Sequence, residues 1–159
     1  MKNPFVQFAR RWALRHLPAT PPTSLLPMSD IHSAVVYVDG QTTAEDPEVA
    51  GRIARRLLAD RDIEVRVLCP RKDDLDWFGR VKPAVRGATD ADLFLSLVAS
   101  PDDFTATYEA CCSTARFKVG RCMLPGRVYD LVLDSPGQEG PDIQAEALPA
   151  LMELLDKIR

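Results

Sequence analysis

The chain has 159 residues, 46% of them apolar and 27% charged, the profile of one globular domain rather than a disordered segment. A chain of this length buries about 70% of its unfolded surface and needs no metal or disulfide staple. Its net charge of −3 argues against a general nucleic-acid binder, whose affinity rests on neutralising phosphates.

No apolar run approaches the ~20 residues of a membrane span. The charge is nevertheless uneven. Residues 1–32 hold Lys2, Arg10, Arg11 and Arg15 against Asp30, a net of +3, whereas the rest holds 16 basic and 22 acidic residues, a net of −6. A basic arm before an acidic body predicts different partners for the two parts.

Residues 4–17 read as an amphipathic helix. Phe5, Val6, Phe8, Ala9, Trp12, Ala13 and Leu17 share one half of the wheel, and Gln7, Arg10, Arg11 and Arg15 the other, with Leu14 out of place. Pro4 suits the first helical turn. The arm lacks the continuous apolar stretch of a secretory signal, while its Arg-rich, acid-poor composition also fits an organelle transit peptide. Pro18, Pro21, Pro22 and Pro27 predict a semi-extended linker over 18–31, because proline has no amide donor and disfavours helix in the residue before it.

The body, residues 32–159, alternates strand and helix signals. Ser33–Val38 is a β-branched apolar run, Ile63–Cys69 alternates with period two, and Leu93–Val98, Phe117–Gly120 and Tyr129–Asp134 complete five strands. Asp46-Pro47-Glu48 is a helix start, an Asp cap followed by Pro and an acid. Ser100-Pro101-Asp102-Asp103 carries the same signature, with Phe104, Tyr108, Cys111, Cys112 and Ala115 as the expected inward face. A last helix is predicted over 142–158, with Ile143, Ala147, Leu151, Leu154, Leu155 and Ile158 inward and Pro149 either kinking it or marking its start. Strands alternating with helices imply a mostly parallel sheet covered on both faces. The expected architecture is a three-layer, Rossmann-like (flavodoxin-like) α/β domain with strand order 2-1-3-4-5. The 121–128 link is too short for a helical crossover, so the last pairing rests on least.

Four segments resemble an uncharacterised bacterial domain family: Asp76-Trp77-Phe78-Gly79; Asp92-Leu93 with Leu95 and Leu97; Ala115 to Gly120; and Tyr129-Asp130-Leu131, together with the basic N-terminal segment. The resemblance covers nearly the whole chain. It implies a Rossmann-like fold and a bacterial cytoplasmic setting, and it transfers no catalytic residue.

In an open parallel sheet, ligands sit beyond the carboxyl ends of the strands. The residues there make Asp39, Gly40, Thr42, Ser100 and Asp134 the candidate ligand site. A nucleotide would need a Gly-rich turn at a free helix N-terminus, but the first strand–helix loop has Gly40 alone. Glu45, Asp46, Glu48, Asp102 and Asp103 put negative charge where a phosphate would dock, with Arg71, Lys72 and Arg121 as partial offsets. Val36 to Gly40 imitates a phosphatase motif, but Tyr37 stands where the nucleophilic carboxylate would be. An Mg²⁺ site between Asp39 and Asp134 is conceivable, though carboxylates capping turns are the plainer expectation.

The two histidines are His16 and His32 and none follows residue 32, so Ser–His and Cys–His dyads within the body after that point are excluded. Cys69, Cys111, Cys112 and Cys122 include no C-x-x-C pair and read as buried thiols rather than zinc ligands, with Cys122 beside Arg121 the one candidate for reactivity. Trp77-Phe78-Gly79 reads as a core plug before a ligand platform, and Arg116, Lys118, Arg121 and Arg127 as a solvated basic surface.

The strongest functional signal is the arm. Either its helix folds back with the apolar face down, or Phe5, Phe8, Arg10, Arg11, Trp12 and Arg15 reach an anionic membrane or a protein groove. The reading is a non-enzymatic binding or adaptor module, cytoplasmic and peripheral to the inner membrane, with no cofactor or metal. The alternative is an enzyme or sensor of a small polar ligand at the strand ends, with or without Mg²⁺.

Overall fold

The computed structural model describes residues 3–17, 22–41, 46–87, 90–124, 128–133 and 144–158. In chain order the elements are α1 (Pro4–Arg15), β1 (Ser33–Tyr37), α2 (Pro47–Ala59), β2 (Glu64–Leu68), the single turn α3 (Pro83–Arg86), β3 (Leu93–Ser96), α4 (Phe104–Cys112), β4 (Phe117–Gly120), β5 (Leu131–Val132) and α5 (Gln144–Asp156). The strands form one sheet in the order β2-β1-β3-β4-β5, and every pairing is parallel.

Each strand starts and stops near the residues expected, with one exception. The last is Leu131–Val132 rather than Tyr129–Asp134. Val119 faces Leu131 and Gly120 faces Val132, and the ladder continues through Asp130 N–H to the Lys118 carbonyl and Leu133 N–H to the Gly120 carbonyl. Asp134, and residues 125–127 in the link, lie outside the described residues.

Alternation along the strands divides the core in two. Ala34, Val36, Val38, Leu93, Leu95, Leu97, Phe117 and Val119 meet Ala50, Ala54 and Leu58 of α2 and Leu148, Leu151, Met152 and Leu155 of α5. Val35, Tyr37, Leu68, Phe94 and Val98 meet Val81 and the α4 residues Ala106 and Ala110. Both faces are covered, which is why the central strands read as unbroken apolar runs. Each fully buried aliphatic side chain here contributes about 1.5–3 kcal/mol. Helix α5 runs through the exposed Pro149. Of its expected inward residues, Ala147, Leu151 and Leu155 are buried, Leu154 and Ile158 are half-buried, and Ile143 lies outside the described residues.

The two helix starts differ. Asp46 caps α2 as expected, accepting from Glu48 N–H at 3.0 Å. Ser100 does not cap α4. It closes a turn, accepting from Asp102 N–H on Oγ at 3.2 Å, and the cap is Asp103, which accepts from Ala106 N–H at 3.0 Å. The inward face of α4 is also corrected, to Thr105, Ala106, Glu109 and Ala110. Phe104 and Tyr108 turn sideways into a ring cluster with Phe78.

The connection from β2 to β3 shares the α4 face, and among its described residues the helical parts are the 3-10 turn Lys72–Asp74 and α3, one turn long. An ion pair between half-buried Arg86 and buried Glu109 holds this connection. The Arg86 guanidinium meets the Glu109 carboxylate at 2.6 Å and also donates to the Val81 carbonyl. Removing one partner leaves the other charge unmatched in low dielectric. Glu109→Ala is therefore expected to cost about 3 kcal/mol in urea denaturation, and Arg86→Met with Glu109→Met to recover more than half of that loss.

Candidate functional site

Helix α1 begins as the sequence dictates. Asn3 accepts from Phe5 N–H at 2.9 Å and Pro4 occupies the first turn. It folds back on the body, but not with its aromatic face down. Ala13 is buried, and Val6, Arg10, Leu14 and Leu17 are half-buried. Phe5, Phe8 and Trp12 are 77%, 71% and 53% exposed, beside exposed Arg11 and Arg15. The helix is thus docked, but its aromatic stripe points outward rather than onto the body.

The reason is the chemistry of the dock. Arg10 Nε donates to the Phe78 carbonyl at 2.7 Å, and its guanidinium lies 5.0 Å from the Phe104 ring centroid. A carbonyl and a ring face select a cation, not an aromatic wedge. The carbonyl is presented by a tight loop around Asp76, whose carboxylate accepts from the N–H groups of Phe78, Gly79 and Arg80 and from the Arg80 side chain at 2.8 Å. Burial alone would raise the Asp76 pKa, but the N–H bonds and the Arg80 charge outweigh it and hold the carboxyl below its ordinary value. Gly79 has φ +104, and a Cβ there would sit 2.9 Å from the Arg10 guanidinium, so glycine serves both the turn and the dock. In the Trp77-Phe78-Gly79 motif, Phe78 is the core plug, while Trp77 is 69% exposed.

Residues 22–31 continue along the body. Ser24 N–H donates to the Arg116 carbonyl, Thr23 Oγ1 donates to Asp130 at 2.8 Å, and Leu26 is buried. Residues 18–21 lie outside the described residues.

At the strand ends, Asp39, Gly40 and Ser100 are described, whereas Thr42, Glu45 and Asp134 lie outside the described residues. Asp39 is clasped by a residue the sequence reading missed. Buried Gln144, at the start of α5, accepts from Asp39 N–H at 2.6 Å and donates to its carbonyl at 3.2 Å. The Asp39 carboxylate accepts from Gln41 N–H at 3.0 Å, an Asx turn. A Cβ on Gly40 would sit 2.5 Å from the Pro70 carbonyl, so the β1 and β2 ends close on each other. Burial raises the Asp103 pKa, the Ala106 N–H opposes that, and the Asp39 charge raises it further. Negative charge at this rim is thus concentrated enough to act on itself. Among the described residues, no group of three His, Cys, Asp or Glu side chains is placed to hold a metal ion.

The remaining nucleophiles are quiet. Burial pushes the thiols of Cys69, Cys111 and Cys112 up, which disfavours the thiolate. Cys122 Sγ lies 3.8 Å from the Val98 carbonyl, and Arg121 donates to the Leu97 carbonyl. Ser96, on the α4 side, is buried and accepts from Val98 N–H. The expected basic surface is corrected at Lys118, which is buried with its pKa lowered by that burial. Arg116 is exposed beside Asp92, and Arg127 lies outside the described residues.

Comparison of the chain with protein-family models, curated proteins and solved structures finds no significant match, so the likeness to an uncharacterised bacterial family rests on its motifs alone.

The dock and the closed strand ends can each be tested by one substitution. The charged hydrogen bond and the cation–π contact of Arg10 together contribute about 2 kcal/mol. Arg10→Ala should raise amide exchange across α1 about 30-fold while sheet amides stay unchanged. Gly40→Ala forces Cβ against backbone and should lower stability by about 2 kcal/mol, read as a shifted urea midpoint.

Proposed function

We propose that this protein is a non-enzymatic binding module that seats on an anionic membrane surface through the outer face of α1. One observation carries the reading: a docked helix that leaves Phe5, Phe8 and Trp12 in water beside Arg11 and Arg15. Leaving an aromatic exposed forgoes about 1.5–3 kcal/mol of burial, and a cluster of such residues marks an interaction surface. Interleaved arginines match anionic headgroups, at about 1 kcal/mol each.

The helix has 12 residues, a length of about 18 Å against a hydrocarbon core of about 30 Å. Among the described residues no helix is long and apolar enough to cross a membrane. The mode is therefore interfacial, with the rings in the headgroup layer and Arg10 holding the body to the helix. The other reading, a small polar ligand at the strand ends, has no comparable support, since Asp39, Gly40 and Ser100 are committed to turns and close packing.

Co-sedimentation of the full chain with vesicles of phosphatidylcholine plus phosphatidylserine, and with phosphatidylcholine alone, tests the proposal. The chain should pellet with the anionic vesicles and lose this as salt rises. Phe8→Ser with Trp12→Ser should weaken partitioning at least tenfold, and Arg11→Ala with Arg15→Ala about 30-fold. A chain that stays in the supernatant with every vesicle would overturn it and direct the face toward a protein groove. So would equal pelleting of all three forms.

A further inference from the structure

Among the described residues the sheet ends at β2, and no strand pairs with its outer edge. A cleft of about 540 Å³ runs there, lined by Gly51, Arg52 and Arg55 of α2, Val67 and Leu68 of β2, then Cys69, Arg71 and Val85. Val67 belongs to the α2 side of the sheet and Leu68 to the α4 side. Only the strand's edge exposes both faces to one space, so the cleft wraps that edge between α2 and α3.

Among the described residues no backbone bond closes the outer side of this edge. Glu64 N–H bonds to the His32 carbonyl, and the Leu68 carbonyl accepts from Val38 N–H. Residues 64, 66 and 68 therefore turn their peptide groups toward β1. By alternation, Val65 and Val67 turn theirs outward, where such groups are a template for a further strand. The charge along the trough is positive. Among the described lining residues Arg52, Arg55 and Arg71 face one carboxylate, Glu48, which lies 3.7 Å from Arg71. Among the described residues Arg52 and Arg55 have no carboxylate partner.

We propose that the β2 edge binds an extended acidic peptide, which adds to the sheet as a sixth strand with its carboxylates on Arg52, Arg55 and Arg71. Main-chain bonds to Val65 and Val67 supply affinity, and the three guanidiniums select acidic side chains. Like-charged strands are rejected by the same arginines, which also keeps a second copy's basic α2 face from pairing there. None of these residues lies on α1, so the proposal stands or falls apart from the membrane reading.

The probe is a fluorescein-labelled ten-residue peptide alternating glutamate and valine, followed by anisotropy with the full chain. Saturable binding is expected, weakened at least tenfold by Arg52→Glu with Arg55→Glu, and lost when lysine replaces glutamate. N-methylation of alternate peptide nitrogens on the pairing edge should weaken binding at least tenfold, and the Val67 amide should exchange more slowly in the complex. The N-methylated arm leaves the protein unaltered, so it holds even where a protein variant fails to fold. Absence of saturable binding would overturn the proposal, as would binding indifferent to N-methylation, which would make the arginines a plain anion patch.

Discussion

A parallel sheet has to be covered on both faces, and this chain meets that constraint unequally. Helices α2 and α5 roof one face with aliphatic side chains. The other face has α4 and, in place of a full crossover helix from β2 to β3, a connection whose described α-helical part, α3, is one turn long. Irregular backbone over a core needs partners for its polar groups. Asp76 supplies them at Phe78, Gly79 and Arg80, and Arg86 with Glu109 pins the far end. The Asp76 loop presents the carbonyl that orients α1, and among the described residues no strand pairs with the outer edge of β2.

The orientation of α1 shows how one polar contact redirects a helix that hydrophobicity alone would place otherwise. With three aromatics inward, more apolar area would leave water. At that place the body presents the Phe78 carbonyl and the Phe104 ring face. Arg10 fits both, and small Ala13 permits the close approach. Docking through the other side leaves Phe5, Phe8 and Trp12 together with Arg11 and Arg15. That combination fits a lipid interface better than bulk water.

The strand ends behave in the opposite way. Among the described residues, Gln144 clasps the Asp39 peptide, Asp39 and Ser100 close turns, and Asp103 caps α4. Gly40 lets β1 and β2 converge where a ligand loop would open. Asp39 and Asp103 raise the local negative potential against an incoming phosphate.

Period-two and period-3.6 patterns, with the Asp-Pro-Glu start of α2, settled from the residues alone that this is a parallel α/β sheet with strand order 2-1-3-4-5. Those signals are local, and right-handed crossovers leave few ways to connect them. The amphipathic arm and its aromatic and basic residues were legible for the same reason. Which side of the arm meets the body was not, because a helical wheel ranks faces by hydropathy and carries nothing about a carbonyl 68 residues further along the chain. The Gln144 clasp, the burial of Lys118 and the uncovered β2 edge likewise arise from contacts between segments remote in sequence. Tertiary packing decided them, since only there do a donor, an acceptor and the absence of water come together at one point.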